Sequence, residues 1–498
     1  MDDIECADFP VFPQIIPKVN RVIAIGDVHG DFDYLIHLLK IARVIDNKNK
    51  WVGGKTYVVQ LGDQIDSCRM NYNSCDNPKT TPNDKAEDIK IIKYLDNLNI
   101  EAREHDGAVI SLLGNHEIMN IIGNMTYVSY KNIAQSNGLQ NRVKNFSKDG
   151  EIGRKLICTH PSAVIIGTNL FVHAGILLSI TKSIPKFKHI LNITMNAEIE
   201  NLTPKESVNF IINKILNGTI KKEVLYKIYS SEPSDQTKLK SALIGKNKKE
   251  IINNLMNNKN ILSNLIKVSD EIKKILRQTI SFDNIENLHA IEVVNIIVRK
   301  WLLQKLDKSY EIEEKTFDVE EKTQSIFWNR FLGIVPDEKC FKEIDKKKIK
   351  PEESNITKIT ENTRIPHKEI SNNPTNPENP KINTNQICEE NKIVMKFLNV
   401  DNMIIGHTPQ FISLALAGIN AGCDCSVLRT DIGGSNAFNI YDATYAKTKD
   451  TTKQVIKQRT PQIVEILDDT NHRILYDEKP YMTGGKLYDL FKNYYFTN

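Results

Sequence analysis

The chain has 498 residues, enough for several average domains or for one domain with long insertions. Lys and Arg number 66 against 62 Asp and Glu, and the resulting +4 is too small at this length to draw in nucleic acid or an anionic membrane through the global field. Hydrophobic residues at 40% suit a globular protein with a sizeable core.

In chain order, residues 1–10 carry Asp2, Asp3, Glu5 and Asp8 where a signal peptide needs a basic start and an apolar run, so export is not expected. From Arg21 to about Leu177, short β-rich runs alternate with helical stretches, which predicts a β-α-β layout with mostly parallel strands. The runs are Arg21 to Ile25, Thr56 to Leu61, Ala108 to Leu113 and Asn169 to Val172. Residues just past such strands gather at one edge of an α/β sheet, where ligands bind. The longest apolar stretch, Ala163 to Ile180, is broken by Gly167, Thr168, Asn169, His173 and Gly175, so no membrane span is predicted.

Residues 182–320 read as an all-helical insertion, with apolar stripes at Val208, Ile211, Ile212, Ile215 and at Val294, Ile297, Val298, Trp301. These stripes are packing faces, and a protein partner for the insertion is left open. Residues 321–340 return to the core. Residues 341–388, with five prolines among Lys, Glu, Asn and Thr, predict a disordered, low-complexity tether that interrupts a domain. Residues 389–476 resume it with a helix to Leu398, a strand at Asn402 to Ile405 and a hairpin near Gln462 to Leu475, before a tail at 477–498. The eight cysteines form no C-x-x-C pair, which predicts reduced thiols in a cytosol-like compartment; Cys68 and Cys75, in the Ser67 to Asp84 loop, suggest a redox switch but are read in preference as two unrelated loop thiols.

Five strand ends carry chemistry: Gly26-Asp27-Val28-His29-Gly30, Gly62-Asp63-Gln64-Ile65-Asp66, Gly114-Asn115-His116-Glu117, Val172-His173-Ala174-Gly175 and Gly406-His407-Thr408-Pro409. A lone histidine at a strand end is more often structural than a ligand, and a lone Gly-Asp pair is usually a turn. All five in order are a different matter. Oxygen and imidazole donors of this kind suit divalent manganese, iron, zinc or magnesium.

This ordered set resembles the calcineurin-like metallophosphoesterases. The phrases Gly114 to Asn120, Leu170 to Gly175, Trp328-Asn329-Arg330 and Arg429 to Ser435 are similar to the bacterial-type, Shewanella-like phosphoprotein phosphatases. The resemblance covers roughly residues 20–180 and 323–475. It implies an α/β fold, a β-sandwich of two mixed sheets flanked by helices (αββα). It also implies two divalent ions, with manganese expected to serve in vitro. Asp27 and His29 match ligands of the first ion, Asp63 the carboxylate shared by both, and Asn115, His173 and His407 the ligands of the second. His116 matches the general acid and Asp66 the carboxylate that orients it. The implied reaction is attack by a water activated between the ions on a phosphomonoester, of a phosphoprotein (Ser/Thr or Tyr) or a small molecule.

The branch normally has an Arg directly after the second Asp. Here Ser67 and Cys68 intervene before Arg69, so Arg330, Arg69 and Arg154 are the candidates for binding phosphate, with Arg330 preferred and Arg154 placed before a strand-like Lys155 to Cys158. The alternative reaction is symmetrical hydrolysis of dinucleoside polyphosphates. A weakened scaffold is a further one. Diesterase and nuclease branches carry a second His where Pro409 stands. No membrane or nucleic-acid partner is expected, and the location expected is cytoplasmic, or a host cytoplasm or virion for a viral chain.

Overall fold

Short runs of branched apolar residues bounded by Gly and polar clusters become strands, because such side chains pack well on a pleated, buried surface. In the computed structural model the described residues are 12–69, 73–216, 218–230, 232–245, 248–279, 282–306, 325–336, 383–410, 418–438 and 461–476, with residues 6, 9, 317, 338 and 340. The chain divides into two units, residues 1–12 with 183–311 and residues 13–182 with 312–498.

Among the described residues the second of these holds the strands: β1 (Ile15–Ile16), β2 (Arg21–Ile25), β3 (Tyr57–Gln60), β4 (Ala108–Ser111), β5 (Ala163–Ile166), β6 (Asn169–Val172), β7 (Asn402–Ile405), β8 (Asn420–Gly422), β9 (Val427–Arg429), β10 (Gln462–Leu467) and β11 (Asn471–Tyr476). They form two mixed sheets, in the orders β11-β10-β2-β3-β4 and β1-β5-β6-β7-β9-β8. In the first, β2, β3 and β4 run parallel while β10 is antiparallel to both its neighbours. In the second, β6, β7 and β9 run parallel. This is the two-sheet α/β arrangement that the motifs implied.

The helices α1 (Phe32–Ile41) and α2 (Asp88–Arg103) cover the first sheet. Asp31 caps α1 by accepting from the Tyr34 amide. Leu35, Leu38 and Leu39 of α1 and Ile91, Leu95 and Leu98 of α2 share one core with Ile23, Ile25, Val58 and Val109. Each such side chain contributes about 1.5–3 kcal/mol by leaving water. Beneath β10, the Glu465 carboxylate is gripped by Arg21 and Arg473, which fixes the antiparallel strand beside β2. The turn of the β10–β11 hairpin reaches the other sheet, where Asp469 accepts from the Thr168 amide and the Asn169 amide group.

Four short helices lie between β4 and β5, namely α3 (Asn115–Ile121), α4 (Tyr130–Gln135), α5 (Leu139–Phe146) and α6 (Glu151–Thr159). In the helical unit come α7 (Leu178–Asn201, entered from the sheet unit), α8 (Pro204–Leu216), α9 (Lys222–Tyr229), α10 (Pro233–Ala242), α11 (Lys248–Asn257), α12 (Lys259–Lys267), α13 (Ser269–Thr279), α14 (Phe282–Glu286) and α15 (Ala290–Leu302). Val208, Ile211, Ile212, Val294, Ile297 and Val298 of the two stripes are buried there, so these faces pack. The sheet unit adds α16 (Phe331–Ile334) and α17 (Thr384–Leu398).

Several expectations need correction. Lys155 to Cys158 is helical, part of α6, because its apolar positions Ile152, Leu156 and Ile157 follow a helical period. The segment read as tether up to residue 388 ends earlier: Asn383 caps α17, whose residues to Leu398 bury Asn391, Val394 and Met395. Residues 341–382 and the tail at 477–498 lie outside the described residues. The reduced-thiol reading fails. Cys68 pairs with Cys75, Cys340 with Cys425 and Cys388 with Cys423, and Cys6 and Cys158 are disulfide-bonded as well. Partners up to 85 positions apart meet only through folding, so spacing alone concealed them.

Candidate metal centre

Strand ends deliver the candidate side chains. Asp27 and His29 follow β2, Asp63 and Asp66 follow β3, Asn115 and His116 open α3 after β4, His173 follows β6, and His407 follows β7. His29, Asp63, Asp66 and His407 all have positive φ, between 42° and 70°. Backbone strain of this kind concentrates where a fold holds functional groups. At Gly406 any side chain would run into the Asp27 carboxylate, so only glycine lets β7 and β2 close around the site.

Four donors meet tightly. Asn115 Oδ1 lies 2.8 Å from His173 Nε2 and 2.9 Å from His407 Nδ1, and His173 Nε2 is 3.4 Å from Asp63 Oδ2. Donors about 2.0–2.2 Å from one ion would stand roughly 3.0–3.4 Å apart. His173 Nδ1 faces the Leu61 carbonyl at 2.8 Å and is the natural N–H donor, so the opposite nitrogen faces two oxygens and calls for a positive charge between them. His407 Nε2 is buried with no hydrogen-bond partner.

The adjoining group is looser. His29 Nε2 is 3.8 Å from Asp27 Oδ2 and 3.8 Å from Asp63 Oδ2, which places Asp63 between the two groups. His29, Asp63 and His116 form one buried set able to hold an ion, and Asp63, His173 and His407 form another. A third set, Glu338 with Cys340 and Cys425, has its sulfurs joined to each other.

Charge supports the same reading. Burial pushes the Asp27 carboxyl well up, and the neighbouring Asp431 and Asp63 push it further. Burial would raise Asp63 too, but His173 and His116 outweigh it and hold Asp63 well below the carboxylate range. Burial and Arg69 keep His29 low, and burial and Arg330 keep His407 low, so both imidazoles are neutral and carry a lone pair. Several buried carboxylates around neutral imidazoles form a cradle for cations.

Beside this cradle His116 Nδ1 lies 2.8 Å from Asp66 Oδ2, while its Nε2 is 3.8 Å from Asp63 Oδ2. Asn120 donates to both oxygens of Asp66, at 3.1 and 3.0 Å. Arg142, fully buried, donates to Asn120 Oδ1 and, at 2.8 Å, to Asp88 Oδ2. Burial lifts Asp88 to about 7 in spite of Arg142.

The three arginines part company. Arg69 is buried with Nη2 2.7 Å from His29 Nε2, and Arg330 is exposed at the rim, donating to the His407 carbonyl at 3.1 Å. Arg154 rides on α6, and the cations that act most on the buried site groups are Arg69 and Arg330. Sequence reading passed over Glu117, whose carboxylate accepts from the amides of Asp63, Gln64 and Gly114, each at 2.8 Å. Its place three residues after Gly114 is the usual signal for a side chain that folds back on a helix start. It gave no role to Asp431, buried with Oδ2 unpartnered, or to Asn120, although both lie in quoted phrases, and it passed over Asp88 and Arg142, for which no local pattern exists.

The family model for calcineurin-like phosphoesterases matches residues 20–228. The Shewanella-like protein phosphatase 2 of Arabidopsis thaliana is 27% identical over 202 residues, 32% of this chain and 47% of that one. The Shewanella-like protein phosphatase 1 of Plasmodium berghei is 31% identical over 186 residues, 36% of this chain and 45% of that one. The chain thus spans about half the length of these two relatives. An uncharacterized protein of Acanthamoeba polyphaga mimivirus, R398, is 22% identical over 401 residues, 78% of this chain and 99% of that one. A cold-active protein-tyrosine phosphatase of a psychrophilic Shewanella superposes with a TM-score of 0.40 at 14% identity, over 95% of this chain and 85% of that one.

Proposed function

We infer that this chain, a calcineurin-like phosphoesterase over residues 20–228, is a phosphomonoesterase dependent on two divalent metal ions and acts on phosphorylated protein. The observation that carries this reading is the convergence of Asn115, His173, His407 and Asp63 within 2.8–3.4 Å, with Asp63 shared towards His29. Asp27, His29 and Asp63 would hold one ion, and Asp63, Asn115, His173 and His407 the other. Ions held there would supply Lewis acidity and a nucleophilic water near neutral pH.

The chain's own groups do the rest. Asp66 accepts the Nδ1 proton of His116, which fixes the ring and leaves Nε2 to deliver a proton to the departing alkoxide. Asn120 and Arg142 hold Asp66 in that orientation. Arg69, at His29, and Arg330, at His407, bring guanidinium donors to the phosphoryl oxygens. Manganese is the ion we expect to serve in vitro. The disulfides favour an oxidising setting over a reducing cytosol, which withdraws the main ground for a cytoplasmic location.

The test is a manganese-supplemented panel of phosphoserine, phosphothreonine and phosphotyrosine peptides, an aryl phosphate, diadenosine tetraphosphate and single-stranded DNA, with Asp63→Asn as control. Turnover of phosphopeptides above the other substrates supports the reading. Preference for the dinucleotide transfers the same centre to polyphosphate hydrolysis, and inertness towards all of them leaves a scaffold.

A further inference from the structure

The departure from the expected Asp-Arg-Gly order leaves a physical problem, because the arginine arrives two residues late, at Asp66-Ser67-Cys68-Arg69. A long, flexible cation on a loop loses considerable rotamer entropy when held in one place. Arg69 is nonetheless buried, 8% exposed, at the metal centre. Its Nη1 donates to the carbonyls of Asp66 at 3.1 Å and Cys68 at 2.7 Å, so the guanidinium curls back over its own turn. The group lies 4.6 Å from the Phe438 ring centre and 5.7 Å from that of Tyr127, whose ring in turn stands 4.9 Å from His116.

The residue next to Arg69 supplies the anchor. Cys68 is fully buried and bonded to Cys75, itself 2% exposed and seven positions on. A covalent tie of this kind removes open-loop states and leaves fewer directions for the intervening side chain. We propose that the Cys68–Cys75 disulfide is the positioning element that holds Arg69 at the metal centre to grip a phosphoryl oxygen. Phosphate affinity then depends on the oxidation state of this pair. The inference rests on the phosphoesterase reading of the same site and deepens it: Cys68 and Cys75 touch no substrate and act through Arg69. Dithiothreitol would cleave the Cys68–Cys75 bond, delivering two electrons and two protons to form two thiols while becoming a cyclic disulfide itself.

The experiment titrates inorganic phosphate into the full-length, manganese-loaded protein by calorimetry. It compares wild type, Cys68→Ala/Cys75→Ala, Arg69→Met and the triple variant, with KM, kcat and bound manganese measured on an aryl phosphate. Loss of an ionic grip should weaken phosphate about tenfold or more in the double variant and in Arg69→Met. The triple variant should lose no more than Arg69→Met alone. KM should rise with kcat and bound manganese retained. Should the double variant fail to fold, wild type reduced by dithiothreitol, with thiols at 68 and 75 verified by labelling, must show the same weakening, and reduction of Arg69→Met must weaken its phosphate binding no further. Unchanged phosphate affinity without the disulfide, losses that simply add in the triple variant, or no phosphate binding by wild type would each overturn the proposal. Disulfide-dependent phosphate binding without turnover of any phosphoester would sustain it and sink the phosphomonoesterase reading instead.

Discussion

At Asp63 a single carboxylate faces imidazoles from three strand ends, with Oδ2 3.8 Å from His29, 3.8 Å from His116 and 3.4 Å from His173. Neutralising it by Asp63→Asn keeps the shape but removes the charge that both ion positions share. Bound manganese, measured by elemental analysis, should fall from two per chain towards one or none, and phosphoester turnover should disappear. His116 makes a different demand, since its ring contacts Asp66 but its role is to move a proton. His116→Asn should retain metal and lose about 10²–10⁴ in kcat. The loss should be largest for alkyl leaving groups and smallest for acidic phenols. An equal loss across leaving groups would remove His116 from the acid role.

Among the elements, α5 reaches the centre without contributing a candidate ligand. Arg142 on that helix holds Asn120 on α3 and Asp88 at the start of α2, and Asn120 in turn holds Asp66. Three helices are thereby tied to the loop after β3. Arg142→Met should lower stability by about 1–3 kcal/mol in denaturant titration, a modest figure because Asp88, already raised to about 7, can take up a proton once its partner is gone. Turnover should drop about tenfold through the loosened Asp66, with metal content kept. If kcat is unchanged, the α5 contact serves folding alone.

For the whole molecule, ions bound only by the folded state would stabilise it by mass action, about 2.7 kcal/mol at a hundredfold excess over Kd. Chelation should therefore lower the thermal midpoint together with activity, and manganese should restore both. The disulfides bear on the long insertion. Cys340 and Cys388 flank residues 341–382 and are bonded to Cys425 and Cys423, with Cα separations of 5.4 and 4.9 Å. Cys423 and Cys425 are two positions apart, so the two flanks stand no more than roughly 18 Å from each other. Replacing residues 341–382 by a short Gly-Ser linker should keep the thermal midpoint within a few degrees and leave metal-dependent turnover intact. Collapse of the fold would show that the segment packs.

The candidate ligands were legible in the linear order because each follows an apolar run and stands within two residues of a glycine, and strand-end chemistry of that kind is written in contiguous residues. The helical stripes at Val208 and Val294 were legible for the same local reason, as their period is set by the backbone of one element. The strands β1 and β8 were not, since Ile15–Ile16 and Asn420–Gly422 are too short to show alternation and gain their status from neighbours. The hand of Arg69 on His29, the support of Asp66 by Arg142, the amides gathered by Glu117 and the cysteine pairs were decided by tertiary structure alone. His407 and Asn115, 292 positions apart, meet at 2.9 Å. Local pattern specifies which atoms can bind or ionise, whereas their partners depend on how the chain closes on itself, and that closure is fixed by the packing of the whole core rather than by any one stretch of residues.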